Sequence, residues 1–213
     1  MAGNGTRNTD SSARKSHVAG KKQFDMEAAL DAAMAEFWRS GYADTSLDDL
    51  SRATGLNRSS LYSSFGDKDT LFLRCLDRYT TRYGEKYEAA LSSAASEPVA
   101  AVHAFFDVTF ERIADPDVPD GCLVAQSAMA IPVLSPRAAA QAREALGAQQ
   151  QRLRAALKAA RLNDQAAEAF AVHMAAVNQS LAVMSRAGSS PAQLRTVVDV
   201  TIDALAQALP ADQ

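Results

Sequence analysis

An all-α protein is predicted by three features of the chain. Apolar residues recur at i, i+3, i+4 and i+7 through most of its length. Alanine is abundant, prolines are few, and glycines such as Gly41, Gly55 and Gly188 fall at breaks between periodic stretches. At 213 residues and 47% hydrophobic, the chain can bury one small and one larger helical core. The spacing divides it into an N-terminal arm (1–22), a three-helix domain with a helix-turn-helix (23–68) and a larger helical domain (69–213).

Composition excludes several classes. No apolar run approaches the roughly 20 residues that span a bilayer, and the polar N-terminus lacks a signal-peptide hydrophobic region. Cys75 and Cys122 lie far apart and outside any CxxC pattern, so free thiols in a reducing cytoplasm are expected. A net charge of −3 argues against indiscriminate coating of nucleic acid. The arm is locally basic, with Arg7, Arg14, Lys15, Lys21 and Lys22 against a lone Asp10. A flexible basic arm of this kind can add phosphate or minor-groove contacts.

The first helix is expected from about Asp25 to Ser40, with Met26, Leu30, Ala33, Met34, Phe37 and Trp38 as its buried stripe. Gly41-Tyr42 ends it. Two short helices follow. Thr45 is placed to cap the first, with Asp48 completing a capping box. Leu47, Leu50, Ser51 and Thr54 share one face, and Gly55 supplies the sharp reversal. Asn57 caps the second helix, which runs from Arg58 to Ser64. Leu61 and Phe65 anchor its back. Arg58 with Tyr62, and Ser59 with Ser63, form a small, polar front. The major groove of B-DNA accepts such a helix, N-terminal residues first.

Gly41-Tyr42, Thr45-Ser46-Leu47, Ala53-Thr54-Gly55-Leu56, Ser60-Leu61-Tyr62 and Phe65-Gly66-Asp67-Lys68, running into Leu71-Phe72, resemble the DNA-binding domain of TetR-family transcriptional regulators of the AcrR-like, one-component type. The likeness covers roughly residues 24 to 76 in fixed register. Ser51 departs from the alanine usual in that helix, but serine is small enough to keep the helices close. Gly121-Cys122-Leu123 resembles a motif in one branch of the same family. The resemblance implies that Thr45, Tyr62 and Lys68 hold the phosphate backbone, which positions without reading sequence. Arg58 is expected to read a base, since a guanidinium spans guanine O6 and N7. Ser59, Ser60 and Ser63 belong to the same face, and Asn57 can serve the backbone as well as its helix.

In the larger domain, the turn at Gly66-Asp67-Lys68-Asp69 opens a long helix to about Ser93. It carries Leu71, Phe72, Cys75, Leu76, Tyr79 and Tyr83 inward. Residues 98 to 114 read as a helix apolar almost all round, hence enclosed on every side. A Pro/Asp loop (115–121) precedes a short helix from Cys122 to Ala130, ended by Ile131-Pro132. Another starts at Pro136 and passes Leu146, Leu153 and Leu157. The last two are separated by Gly188 and Pro191. Phe170, Met174, Val177, Leu181 and Met184 on one, and Leu194, Val198, Thr201 and Leu205 on the other, repeat at 4-3-4-3 spacing. Together they are expected to form a four-helix interface in a homodimer.

No HExxH, GxSxG, GxGxxG or phosphate-loop motif is present, the three histidines are scattered, and metal-ligand spacing is absent. No catalytic residue, metal or cofactor is therefore assigned. Architecture and resemblance together imply a small-molecule effector among Phe106, Phe110, Cys122, Gln126 and Met129, whose aromatic and thioether character suits an apolar or aromatic ligand. The resemblance implies a homodimeric repressor released from a palindromic DNA operator by that effector, so the expected partners are the operator, the effector and a second copy of the chain, with no membrane. Alternatives are an activator, a redox or electrophile sensor acting through Cys122, or a helical protein-binding module.

Overall fold

A computed structural model describes residues 26–159 and 162–209. The basic arm and the expected start of the first helix at Asp25 lie outside the described residues. α1 (26–40) buries Ala29, Ala33, Met34, Phe37 and Trp38. It ends at Gly41, whose φ of +84° is open to glycine at little steric cost. α2 (Leu47–Thr54), α3 (Arg58–Phe65) and the 26-residue α4 (Lys68–Ser93) follow. At 1.5 Å per residue α4 is about 39 Å long, enough to belong to both domains. Its N-terminal turns pack Leu71, Phe72 and Cys75 into the small core, and from Tyr79 onward it carries Tyr79, Tyr83, Tyr87 and Leu91 toward the large one.

Ion pairs that periodicity could not reveal tie α1 to α4. Arg78 makes two 2.7 Å hydrogen bonds to Asp31 and a third to Glu27, and Arg82 also reaches Asp31. The Arg78 contact holds the Asp31 carboxyl below its ordinary range, against a smaller opposing effect of burial. Trp38 stands edge-on to Tyr79 at 4.9 Å and to Tyr83 at 6.0 Å, so the core of the small domain continues into α4.

The larger domain consists of α5 (Pro98–Ala114), α6 (Leu123–Met129), a 3-10 turn (Ile131–Val133), α7 (Pro136–Ala159), α8 (Asp164–Arg186) and α9 (Pro191–Ala208). α5 is not enclosed on every side. His103, Asp107 and Glu111, spaced four apart, form an exposed stripe, while Arg112 is buried. The expectation rested on Val99, Val102, Phe105, Phe106, Val108, Phe110 and Ile113, of which Val99, Phe110 and Ile113 are only half-buried, so the apolar arc is wide but leaves the polar stripe open.

The expected dimer stripe is corrected more deeply. Met174, Val177, Leu181, Leu194, Val198, Thr201 and Leu205 are buried within a single chain, and Phe170 and Met184 are half-buried against the same core. The seven buried ones are spent on the subunit's own core, which leaves Phe170 and Met184 alone of the stripe with surface to offer a partner. The apolar residues left outside are Val172, Val183 and Val200, at 48%, 57% and 65% exposure. Ala169 and Ala176 share the outer side of α8 with Val172 and Val183. No described helix is long and apolar enough to cross a membrane.

Candidate nucleic-acid interface

The hairpin is built by caps and one inward serine. Ser46, not Thr45, caps α2: its hydroxyl accepts from the Asp49 N–H at 3.1 Å, and the Asp49 carboxylate accepts from the Ser46 N–H at 2.9 Å. The Ser46 hydroxyl also donates to that carboxylate at 2.5 Å, and this bond, followed by the one from the Ser46 N–H, holds the Asp49 carboxyl below its usual value. Thr45 is 1% exposed and donates its hydroxyl to the Gly41 carbonyl at 2.6 Å. The chain reversal after Gly41 turns it toward a carbonyl left unpaired at the end of α1, so its hydroxyl is not free for a phosphate.

Gly55 closes α2 in the left-handed region at φ +69°. Ser51 donates its hydroxyl to the Leu56 carbonyl, so the serine standing where alanine is usual braces the turn. Asn57 caps α3, accepting from the Ser60 N–H at 2.8 Å. Leu61 and Phe65 are buried, and Arg58, Ser59, Tyr62 and Ser63 are exposed. Ser60 is half-buried beneath them.

Arg58 does not stand alone. Its Nε and Nη2 both donate to Asp48 in the first turn of α2, at 3.0 and 2.7 Å, with a further 2.7 Å bond to the second carboxylate oxygen. Both side chains are more than half exposed, so the pair adds little to stability. It does fix where the guanidinium points. The partner, ten residues upstream across the turn, was not visible in the sequence.

Lys68 is half-buried, with Nζ 4.4 Å from the Tyr42 ring centroid. Burial lowers the pKa of its ammonium, while Asp44 opposes the shift. The Tyr42 hydroxyl donates to Asp69 at 3.4 Å, and the other oxygen of Asp69 accepts from Ser135 at 2.7 Å. Ser135 in turn accepts from the Ala138 N–H at 3.1 Å in the first turn of α7. A second link comes from α8, where Arg186 donates to the Arg39 carbonyl at 2.8 Å and the Trp38 carbonyl at 3.4 Å. The reading head is thus tied at both sides to the larger domain.

The five residues expected to line an effector site do not converge. Phe106 is fully buried in the core. Phe110 lies beneath the Arg195 guanidinium, 5.0 Å from its ring centroid. Gln126 approaches Gly41, to within 3.9 Å of where a Cβ would stand. Met129 is 72% exposed. Cys122 borders a cavity of about 50 Å³ beside Tyr79, Tyr83 and Gln179. It is a buried free thiol that accepts from the Tyr79 hydroxyl at 3.3 Å. Phe106 marks core because it lies on the buried face of α5, while Gln126 and Met129 lie on the short α6, which turns one toward Gly41 and the other to solvent. Among the described residues no cluster of three His, Cys, Asp or Glu could hold a metal.

A three-helix bundle that presents a polar recognition helix, carried on a larger helical domain, is the architecture of a helix-turn-helix transcriptional regulator. Residues 29–75 match the model described as bacterial regulatory proteins, tetR family, and residues 98–200 match the C-terminal domain of LmrA/YxaF-like transcriptional regulators. The chain belongs to the TetR family of transcriptional regulators. It is 41% identical over 103 residues to the HTH-type transcriptional repressor ComR of Escherichia coli (strain K12), covering 48% of this chain and 49% of ComR. It spans about half the length of the curated relatives it matches. A cysteine mutant of the TetR-family regulator CifR, solved with 26-bp operator DNA, is 28% identical, with a TM-score of 0.69 over 83% of this chain and 94% of that one. A TetR regulator from Chloroflexus aurantiacus shares the fold at 21% identity, with a TM-score of 0.77 over 89% and 98% of the two chains.

Proposed function

We propose that the chain is a homodimeric repressor that binds a palindromic operator through the front of α3 and is released by a small molecule. The observation that carries this reading is the contrast across α3: Leu61 and Phe65 are sunk in the core, while Arg58, Ser59, Tyr62 and Ser63 face outward. ComR is named a repressor, and CifR has been solved with its operator. Both fit the proposed role.

In this reading Arg58 exchanges Asp48 for a guanine edge. Ser59 and Ser63 reach base edges or phosphates, Ser60 supports them, and Asn57, Tyr62 and Lys68 fix the helix on the backbone. Thr45 supports the turn from inside. Two copies related by a two-fold axis place their recognition helices about 34–36 Å apart, one turn of DNA. The dimer is joined through the outer faces of α8 and α9 that carry Val172, Val183 and Val200. The protein acts in the cytoplasm, where the DNA is.

A gel-shift titration with the DNA upstream of the chain's own gene tests the proposal. Retarded duplex that survives competition by random DNA is expected. Equal competition by random and upstream DNA would contradict it for that site.

A further inference from the structure

We propose that Arg152 anchors the carboxylate of a small organic acid whose apolar body fills a cavity between α4, α5 and α7, and that this acid is the effector. The second half of that statement rests on the regulator reading above; the binding site does not.

The cavity has a volume of about 230 Å³, and its apolar lining includes Leu91, Ala101, Val102, Leu153 and Leu157. That is smaller than a pocket for a drug-sized ligand. Arg152 stands at its edge and also lines the 50 Å³ cavity beside Tyr79, Tyr83 and Cys122; no other residue lines both. The guanidinium lies against Gly84 in the middle of α4. A Cβ there would meet Arg152 Nη2 at 2.8 Å. Glycine is a poor choice inside a helix, so its presence makes room for the arginine.

The donors of Arg152 are largely unspent. Among the described residues it makes no side-chain hydrogen bond, and its one ion-pair contact is with Glu88 at a loose 3.7 Å. Glu88 is 64% exposed and lies on the rim, where water screens it. One layer deeper, Arg112 is 4% exposed and has no carboxylate within ion-pair distance among the described residues. It donates to the Gly121 carbonyl, its Nε has no partner, and it lies about 6 Å from the rings of Trp38 and Tyr83.

The Arg152 side chain is 30% exposed and only Glu88 approaches it, so its guanidinium can still donate two parallel hydrogen bonds to an incoming carboxylate. An apolar chamber with a free fork of donors at one end suits a monocarboxylate with a hydrocarbon or aryl body. A neutral ligand would leave the donors unpaired, and a dianion would gain nothing from the apolar wall. Arg152 reaches the small cavity beside Tyr79 and Tyr83, whose rings stand against Trp38 in α1, so an occupant is linked to the DNA-binding domain through these side chains.

Calorimetric titration of the full chain with octanoate and 3-phenylpropanoate, against octan-1-ol and 3-phenylpropanamide, tests the site. The acids are expected to bind saturably and at least about tenfold tighter than the neutral compounds. Arg152→Gln removes the donors. Gly84→Ala keeps every charge, favours the helix and displaces only the guanidinium. Each variant should weaken acid binding by about tenfold or more. Equal binding of acids and neutral analogues, no saturable binding of either acid, or wild-type affinity in Gly84→Ala would overturn the site. Acid binding that leaves operator affinity unchanged would uphold the site and remove its effector role. Failure to bind operator without any acid would count against the regulator reading instead.

Discussion

α3 and the α8–α9 pair were both read from periodicity, and only α3 presents the face expected of it. In α3 just two large side chains, Leu61 and Phe65, compete for the core, so the opposite face must be the outward one. In α8 and α9 apolar residues occur on more than one side. The large ones, Met174, Leu181, Leu194 and Leu205, enter the subunit's own core. Valines and alanines are left outside. A helix with surplus apolar surface buries its bulkiest stripe first, because burial free energy scales with area. The outer stripe is then the weaker one in sequence.

The two helical regions make different predictions when disturbed. Leu181 is completely buried, so Leu181→Ala should cost about 2–5 kcal/mol. Thermal unfolding should show the loss equally at low and high protein concentration; a loss that vanished on dilution would return Leu181 to the interface. Val183→Asp and Val200→Asp should do the reverse, raising the dimer dissociation constant at least about tenfold in sedimentation. Unchanged association would remove the outer stripe from the proposal.

On the α3 side, Asp48→Asn should strengthen binding to random duplex by up to about 1 kcal/mol, because Arg58 is freed and a carboxylate near phosphate is neutralised. Anisotropy with scrambled DNA would measure this. The smallest effect concerns acid. Because the Asp31 carboxyl is held below its ordinary value of 3.8, its stabilising contribution is complete above that value. It is lost as pH falls through the lowered one. The loss should be roughly 0.5–1 kcal/mol for a partly exposed network, and Asp31→Asn should remove that component from an acid titration.

Much of the fold was legible because its punctuation is strong. Gly41, Gly55, Gly188, Pro98, Pro136 and Pro191 stand at helix boundaries, and α5 runs over Pro98–Ala114 as its spacing predicted. The cap of α2 was misplaced by one residue. Thr45 and Ser46 are both good caps, and only the burial of Thr45 beneath Gly41 decides between them. The Asp48–Arg58 and Asp31–Arg78 pairs join residues whose separations follow no helical period, so no local pattern announces them. The effector residues failed for a related reason. An aromatic on α5 or a methionine on α6 looks the same in sequence whether it meets a cavity, a neighbouring helix or solvent.

The central claim is that Arg58 reads a base from the front of α3. Selection of bound sequences from a randomised duplex pool, run in parallel on the wild-type chain and Arg58→Ala, tests it most directly. The account predicts a palindromic preference for the wild type. The variant should lose one symmetry-related position per half-site, at a cost of about 1–3 kcal/mol. An identical preference from both proteins would contradict it.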